Sequence, residues 1–280
     1  MPKLAFFAFC TLLALSNPVS AGLFDRDSRT LFSWDGNRDV DMELPAMATD
    51  RPDFTEASST VGRGVAQLES GYLFSKDDNT KSHTFGESLL RAGVYANWFE
   101  LRAAIFPVSV SVDNGVSRET ASGLEDLYLG CKFALTPQLG WLPEVAVVPQ
   151  MTGPTGGSKF TEGRVLPGVN LLYGWDITEK FSFGGSTQYN SSIDSSTQEH
   201  AQFAQSLTLN RSLNDKLTMF TEWFSLMPHN AVTARTEQYI NGGFTYLVTS
   251  NIQADIRSGL GLNEASVDFF AGAGLSIRFH

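Results

Sequence analysis

The sequence predicts an all-β fold: a transmembrane antiparallel β-barrel of about twelve strands, of the outer-membrane type. Three observations lead there. A secretory leader is followed by no apolar run long enough for a helical span. Two-residue alternation then runs through most of the chain, and its connections are short and long by turns.

The leader is expected at residues 1–21. Lys3 gives the positive start, residues 4–15 the apolar run, and Val19-Ser20-Ala21 a small-residue cleavage site. Cys10 lies inside it. The mature chain then keeps Cys131 alone, so no intramolecular disulfide is available and stability must come from core burial, a metal or a membrane. A formal charge of −10 argues against non-specific binding of nucleic acid.

Residues 22–60 are polar and show no sustained alternation, which predicts a periplasmic segment or a plug folded into the lumen. Pro52 removes a backbone donor and biases Arg51 toward extended backbone, so this stretch is not expected to be helical. Residues 61–280 carry the barrel. Candidate strands are 66–74, 84–94, 99–106, 125–135, 144–152 and 165–175, then 181–189, 201–211, 217–225, 236–248, 252–262 and 267–279. Each approaches the roughly 9–11 residues that a tilted strand needs to cross a bilayer. The last is the clearest: Val267, Phe269, Ala271, Ala273, Leu275, Ile277 and Phe279 take one face, with Gly272, Gly274, Ser276 and Arg278 on the other.

Short turns are expected at 96–98, 176–180, 212–216 and 249–251, and longer polar loops at 75–83, 107–124, 153–164, 190–200 and 226–235. Only the connection at 263–266 breaks this sorting. Short periplasmic turns facing longer outer loops are the pattern of bacterial outer-membrane barrels, and the bacterial outer membrane is the expected location. Trp98, Phe99, Trp141, Trp175 and Phe181 gather near the short turns, as an inner aromatic girdle would.

Strand charges fall mainly on the less apolar face; Glu125 and Arg211, at strand ends, are on the other. The candidates for lining a constriction are Arg91, Arg102, Lys132, Glu222, Asp255, Arg257 and Arg278. They serve either as cross-strand pairs that fill the interior or as a charge screen for solutes. Acids outnumber bases on that face, so an open pore should mildly prefer cations. Gly274, Ile277 and Phe279, followed by His280, resemble the C-terminal signal read by the barrel-assembly machinery. Outer-membrane lipid and a small-molecule solute are the other expected partners.

Enzyme chemistry is not expected. His83, His200, His229 and His280 fall in candidate loops or at the terminus, and none stands in His-x-Ser. Asp77-Asp78-Asn79 and Asp113-Asn114-Gly115 lack the ligand spacing of a calcium loop. Residues 153–159 are glycine-rich but lack the Gly-Lys-Ser/Thr ending of a phosphate loop. No metal and no cofactor are expected.

Arg51, Pro52, Asp53, Phe54 and Thr55, followed by Gln67, Leu68, Glu69, Gly71 and Tyr72, resemble the entry segment of a known family. It is the outer-membrane transporter family named for the MetA pathway of phenol degradation. Pro154-Thr155-Gly156 resembles a second landmark of that family. The resemblance implies a barrel from Thr49 to the end, with a transport role and no catalytic residues. With no energy-coupling segment in view, the expected function is passive passage of small solutes, aromatic or hydrophobic ones among them. The alternative is a closed structural or interaction barrel without transport.

Overall fold

The structure, a computed structural model, describes residues 26, 28–32, 46–113 and 117–280. The expected leader at 1–21 lies outside the described residues. The strands are β1 (Ala66–Asp77), β2 (Thr80–Ala92), β3 (Phe99–Ile105), β4 (Pro107–Asp113), β5 (Arg118–Leu124), β6 (Leu127–Thr136) and β7 (Glu144–Gly153). They continue as β8 (Leu166–Thr178), β9 (Phe181–Ile193), β10 (Glu199–Ser212), β11 (Leu217–His229), β12 (Glu237–Thr249), β13 (Ile252–Gly261) and β14 (Phe269–Phe279).

All neighbours are antiparallel, and β1 pairs with both β2 and β14, which closes the sheet. β2 pairs with β3 over one half and β4 over the other, while β3 pairs with β6 and β4 with β5. So β3–β4 and β5–β6 are each one wall strand broken by a bulge. The Glu125 N–H bonds the Phe106 carbonyl at 3.0 Å across that break. Counted this way, the wall is a closed barrel of twelve strands, as the alternation predicts.

The two faces invert the usual order of a soluble protein. Leu101, Leu129, Leu171, Leu209, Ile240, Ile256 and Leu275 are exposed on the outside. Glu69, Arg91, Glu100 and Lys132 are fully buried inside, with Ser186, Ser206 and Ser276. An apolar exterior on a closed ladder leaves no unpaired edge from β6 round to β3, which is the condition for standing in hydrocarbon; β5 pairs with β4 alone, beyond that closed ring. The barrel belongs in the bacterial outer membrane.

The expected outer loops need correction. Residues 75–83 and 107–124 are largely strand: β1 and β2 meet at a two-residue turn, Asp78-Asn79, and β4 and β5 extend the wall past the bulge. β9, β10 and β11 likewise run beyond their expected ends, so His83, His200 and His229 lie in strands rather than loops. Residues 75–83 and 118–124 are largely polar on both faces, so ladder hydrogen bonding continues there without the hydrophobic contrast that marks a strand. Residues 107–113 alternate valine with serine but are too few to cross a bilayer alone. Residues 154–165 remain a true loop.

Candidate functional site: the occupied lumen

Residues 46–65 lead into the barrel from the short-turn end and return to it before β1 starts. Their course follows from bonds to inward-facing side chains around the wall. Gln253 on β13 reaches the Thr49 hydroxyl at 2.7 Å, and Gln67 on β1 reaches the Ala48 carbonyl at 2.9 Å. On the way out, the Val61 N–H meets Glu100 at 2.9 Å and the Thr60 hydroxyl bonds the Asn97 carbonyl.

Asp50 is the hub of the first contact. Its carboxylate lies 2.7 Å from Arg102, 3.0 Å from Lys132 and 3.4 Å from Arg91. Arg91 also meets Glu69 at 3.1 Å and Glu100 at 2.8 Å, and Arg102 meets Glu56 at 2.8 Å. The Asp50 and Arg51 N–H groups donate to Glu69 at 3.0 and 2.9 Å, and the Lys132 ammonium caps the Ala57 carbonyl at 2.7 Å. Buried charges are tolerated when each is paired and its remaining donors and acceptors are met. Three cations on the wall therefore require the carboxylate that the entering segment brings.

Arg51 is seated next, across a cis peptide from Pro52. Its guanidinium meets Asp255 at 3.2 Å and also pairs with Glu87. The floor of this seat is a pair of glycines, Gly71 on β1 and Gly274 on β14, which face each other in register. A Cβ on either would overlap the Arg51 guanidinium. The glycine of the Gln-Leu-Glu-x-Gly-Tyr run thus clears space for the arginine of the Arg-Pro-Asp-Phe run. Arg257 completes the group by donating to the Pro52 carbonyl and lying 3.5 Å from Glu87.

Past Pro52 the contacts change character. The Phe54 and Thr55 N–H groups donate to Glu222 at 2.8 and 2.6 Å. The Phe54 ring stacks on Phe224 with centroids 4.5 Å apart, and Phe224 stacks on Tyr239 at 4.7 Å. The Thr55 and Ser206 hydroxyls bond at 2.6 Å, and the Ser58 hydroxyl donates to Glu144 at 2.7 Å. On the short-turn side of this segment a cavity of about 820 Å³ opens. Arg51, Glu56, Glu144, Tyr173, Trp175 and Phe183 are among its lining residues.

Toward the other mouth, the 154–165 loop folds back onto the wall. Asp126 accepts the Gly156 and Glu162 N–H groups at 2.9 Å each, and the Thr155 hydroxyl accepts the Leu127 N–H at 2.9 Å. Phe160 packs where Gly123 has no side chain. The Pro-Thr-Gly run of the sequence is the clamp of this loop.

Of the expected lining residues, Arg91, Arg102, Lys132, Glu222, Asp255 and Arg257 all face residues 50–57. Arg278 does not. It is buried at the short-turn end, bonded to the Asn251 side chain at 3.0 Å and the Ser250 carbonyl at 2.8 Å. Asp53 and Phe54 sit between the Arg51 seat and Phe224. Phe279 lies on the outer face, whereas Gly274 turns inward beneath Arg51. Sequence reading missed Asp50 as a hub and Gly71–Gly274 as a seat. The first adjoins the motif and differs from any surface acid only in its partners, and the second needs the strand register. No group of three or more metal-ligating side chains occurs among the described residues.

This architecture defines the class: an outer-membrane β-barrel with an occupied, charged lumen. Residues 49–279 match the model of the family described as "Putative MetA-pathway of phenol degradation", and the chain belongs to that family. Among solved structures it is similar to an outer-membrane channel from Pseudomonas putida F1. That match has 16% identity and a TM-score of 0.65 and covers 81% of this chain and 99% of the other. It is also similar to the NanC porin, at 13% identity and a TM-score of 0.50, covering 76% of this chain and all of the porin. Likeness at this level speaks to the fold. A comparison with curated proteins found no match.

Proposed function

We propose that the protein is a passive outer-membrane channel for small solutes, with residues 46–65 as the element that limits passage. The observation that carries this reading is the way the segment is held. Side-chain ion pairs and hydrogen bonds fasten residues 50–58, and no strand ladder joins them to the wall. Such contacts exchange for water or solute without opening the barrel. The two named neighbours, one titled a channel and the other a porin, support the reading by analogy.

Solute class follows from what lines the way in. Tyr173, Trp175, Phe183 and Phe220 share the cavity wall with serines, threonines and carboxylates. That mixture suits a small solute with one aromatic or hydrophobic face and some polar substituents. Around the segment, Asp50, Asp53, Glu56, Glu69, Glu87, Glu100, Glu144, Glu222 and Asp255 outweigh Arg51, Arg91, Arg102, Lys132 and Arg257, so permeating ions should be mainly cations.

A second reading, a barrel sealed for good, is favoured by the completeness of the Asp50 pairing. Planar-bilayer recording of the refolded protein separates the two. The channel reading expects discrete steps with a reversal potential on the cation side in a salt gradient. Silence from protein shown to be folded would favour the sealed barrel, and anion preference would overturn the charge argument.

A further inference from the structure

We infer that the outer face of the barrel carries a site for a phosphate group at the rim formed by β1, β2 and the β4–β5 hairpin, and that its source is the phosphorylated headgroup of outer-leaflet glycolipid. The register builds it. Lys76 on β1 stands directly opposite Lys81 on β2, Lys81 opposite Ser111 on β4, and Ser111 opposite Thr120 on β5. Arg118 follows two residues before Thr120, on the same side of the strand. These side chains point outward. Leu73 packs inside the barrel with Phe54 and Phe224, so Tyr72, Phe74 and Lys76 take the opposite face of β1.

Two like charges placed directly across a strand pair repel, and the arrangement is unfavourable until a counter-charge arrives. Among the described residues no ion pair joins Lys76, Lys81 or Arg118 to a carboxylate, although Asp78 and Asp113 line the same recess. Asp113 lies across from Arg118 and Asp78 adjoins the lysines, so the three cations of the recess keep an excess of one positive charge, on the lysine pair. The recess measures about 260 Å³, enough for a phosphate group, and the cluster is a local reversal of sign in a chain of formal charge −10.

Its height in the membrane is set by what lies beneath. On the same outward face, one pleat nearer the middle of the barrel, Tyr72, Phe74, His83 and Phe85 form a patch of rings. Centroids there are 5.5 Å apart for Tyr72–Phe85 and 5.3 Å for Phe74–His83, and the Tyr72 hydroxyl meets the His83 ring nitrogen at 2.7 Å. Aromatic rings with polar tips mark the boundary between hydrocarbon and headgroups. The lysines just above them stand at headgroup depth and face lipid, where basic clusters recognise anionic headgroups.

The test uses the full chain, folded in detergent, and a bis-phosphorylated diglucosamine lipid followed by native mass spectrometry. Wild-type protein should hold the lipid, and K76Q/K81Q/R118Q should lose affinity on the order of 100-fold, at about five-fold per basic residue. The control K180Q/K216Q, at the opposite rim, should bind as wild type. If the triple variant fails heat-modifiable migration, K76Q alone is measured, with about a five-fold loss expected. The dephosphorylated lipid should bind no better to wild type than to the variant. Displacement of the lipid by inorganic phosphate at matched concentration would make free phosphate the ligand and overturn the lipid assignment. Equal affinity of wild type and triple variant, or of both lipid forms for wild type, would overturn the site itself.

Discussion

The two walls that hold residues 50–58 do so by different means. β1, β2, β3 and β6 present Glu69, Arg91, Glu100, Arg102 and Lys132, all charged and all buried. β9, β10 and β11 present Ser186, Ser206, Glu222 and Phe224, so that side holds the segment by hydroxyl contacts, one carboxylate and a ring stack. In the charged wall Arg91 answers to three carboxylates and Arg102 to two, and removing a shared partner strands its neighbours in low dielectric. In the hydroxyl wall a hydroxyl contact is worth about 1 kcal/mol and each N–H bond to the Glu222 carboxylate about 1.5–3 kcal/mol, and both are replaceable by water. The segment is therefore anchored at Asp50–Arg51 and again at Glu56–Ala57, which Arg102 and Lys132 hold, and detachable at Phe54–Thr55 between them. Opening by a swing away from β9–β11 is the motion this difference favours.

The comparison breaks most readily at Asp50. Asp50→Asn removes the charge shared by Arg91, Arg102 and Lys132 and should cost about 3–5 kcal/mol, the range for disrupting a buried ion pair. The readout is the denaturant midpoint of heat-modifiable gel migration, and an unchanged midpoint would mean the network is not an anchor. Gly274→Val comes next, because its side chain claims the space of the Arg51 guanidinium. A loss of about 2 kcal/mol is expected, with larger conductance, as for overpacking at a tight site. A variant with wild-type stability and conductance would remove the glycine seat from the account.

Phe54→Ala sharpens the comparison from the other wall. It removes the stack on Phe224, worth about 1 kcal/mol beyond burial. Barrel stability should be nearly unchanged while the open fraction in bilayer recordings rises about five-fold. Loss of stability comparable with Asp50→Asn would show the two walls to be equivalent.

The smallest effect is expected far from the lumen, at the Asp194 turn between β9 and β10. Its carboxylate accepts the Ser196 hydroxyl at 2.5 Å and the Val232 and Thr233 N–H groups at 2.8 Å, tying two outer connections together. Those bonds, the Ser196 hydroxyl first, hold Asp194 below the usual carboxylate range. A depressed carboxylate contributes stability above its unfolded value of about 4 and loses it as the pH falls through the lower folded value. Amide exchange at Val232 and Thr233, corrected for intrinsic rates, should therefore be insensitive to pH from about 5 to 8 in wild type. In Asp194→Asn it should be faster throughout. Slow, unchanged exchange in the variant would dissolve this tie.

The fold was legible because a lipid-facing wall imposes period two on every strand that crosses it, as in Ile252–Gly261 and Phe269–Phe279. Above the lipid the pattern weakens in Arg118–Leu124, which reads as loop; Pro107–Asp113 does alternate, valine with serine, but its seven residues are too few to cross a bilayer alone, so it reads as loop as well. The site was half legible. Charges on an apolar-alternating strand must point inward, which identified Arg91, Arg102 and Lys132 without showing their partner. Asp50 lies outside the strands and carries no periodicity. The pairing of Gly71 with Gly274 joins residues at opposite ends of the chain and is fixed by barrel closure, which no local pattern encodes. Arg278 shares the inward parity but stands at the end of its strand, so parity alone placed it with the wrong group.

The central claim is that the lumen is limited by a detachable segment of the chain itself. Single-channel conductance of the refolded full chain, compared with a chain lacking residues 46–60 and shown by heat-modifiable migration to be folded, tests it most directly. Small or rare steps are expected for the full chain and larger, persistent steps for the shortened one. Identical conductance from the two, or silence from both, would contradict it.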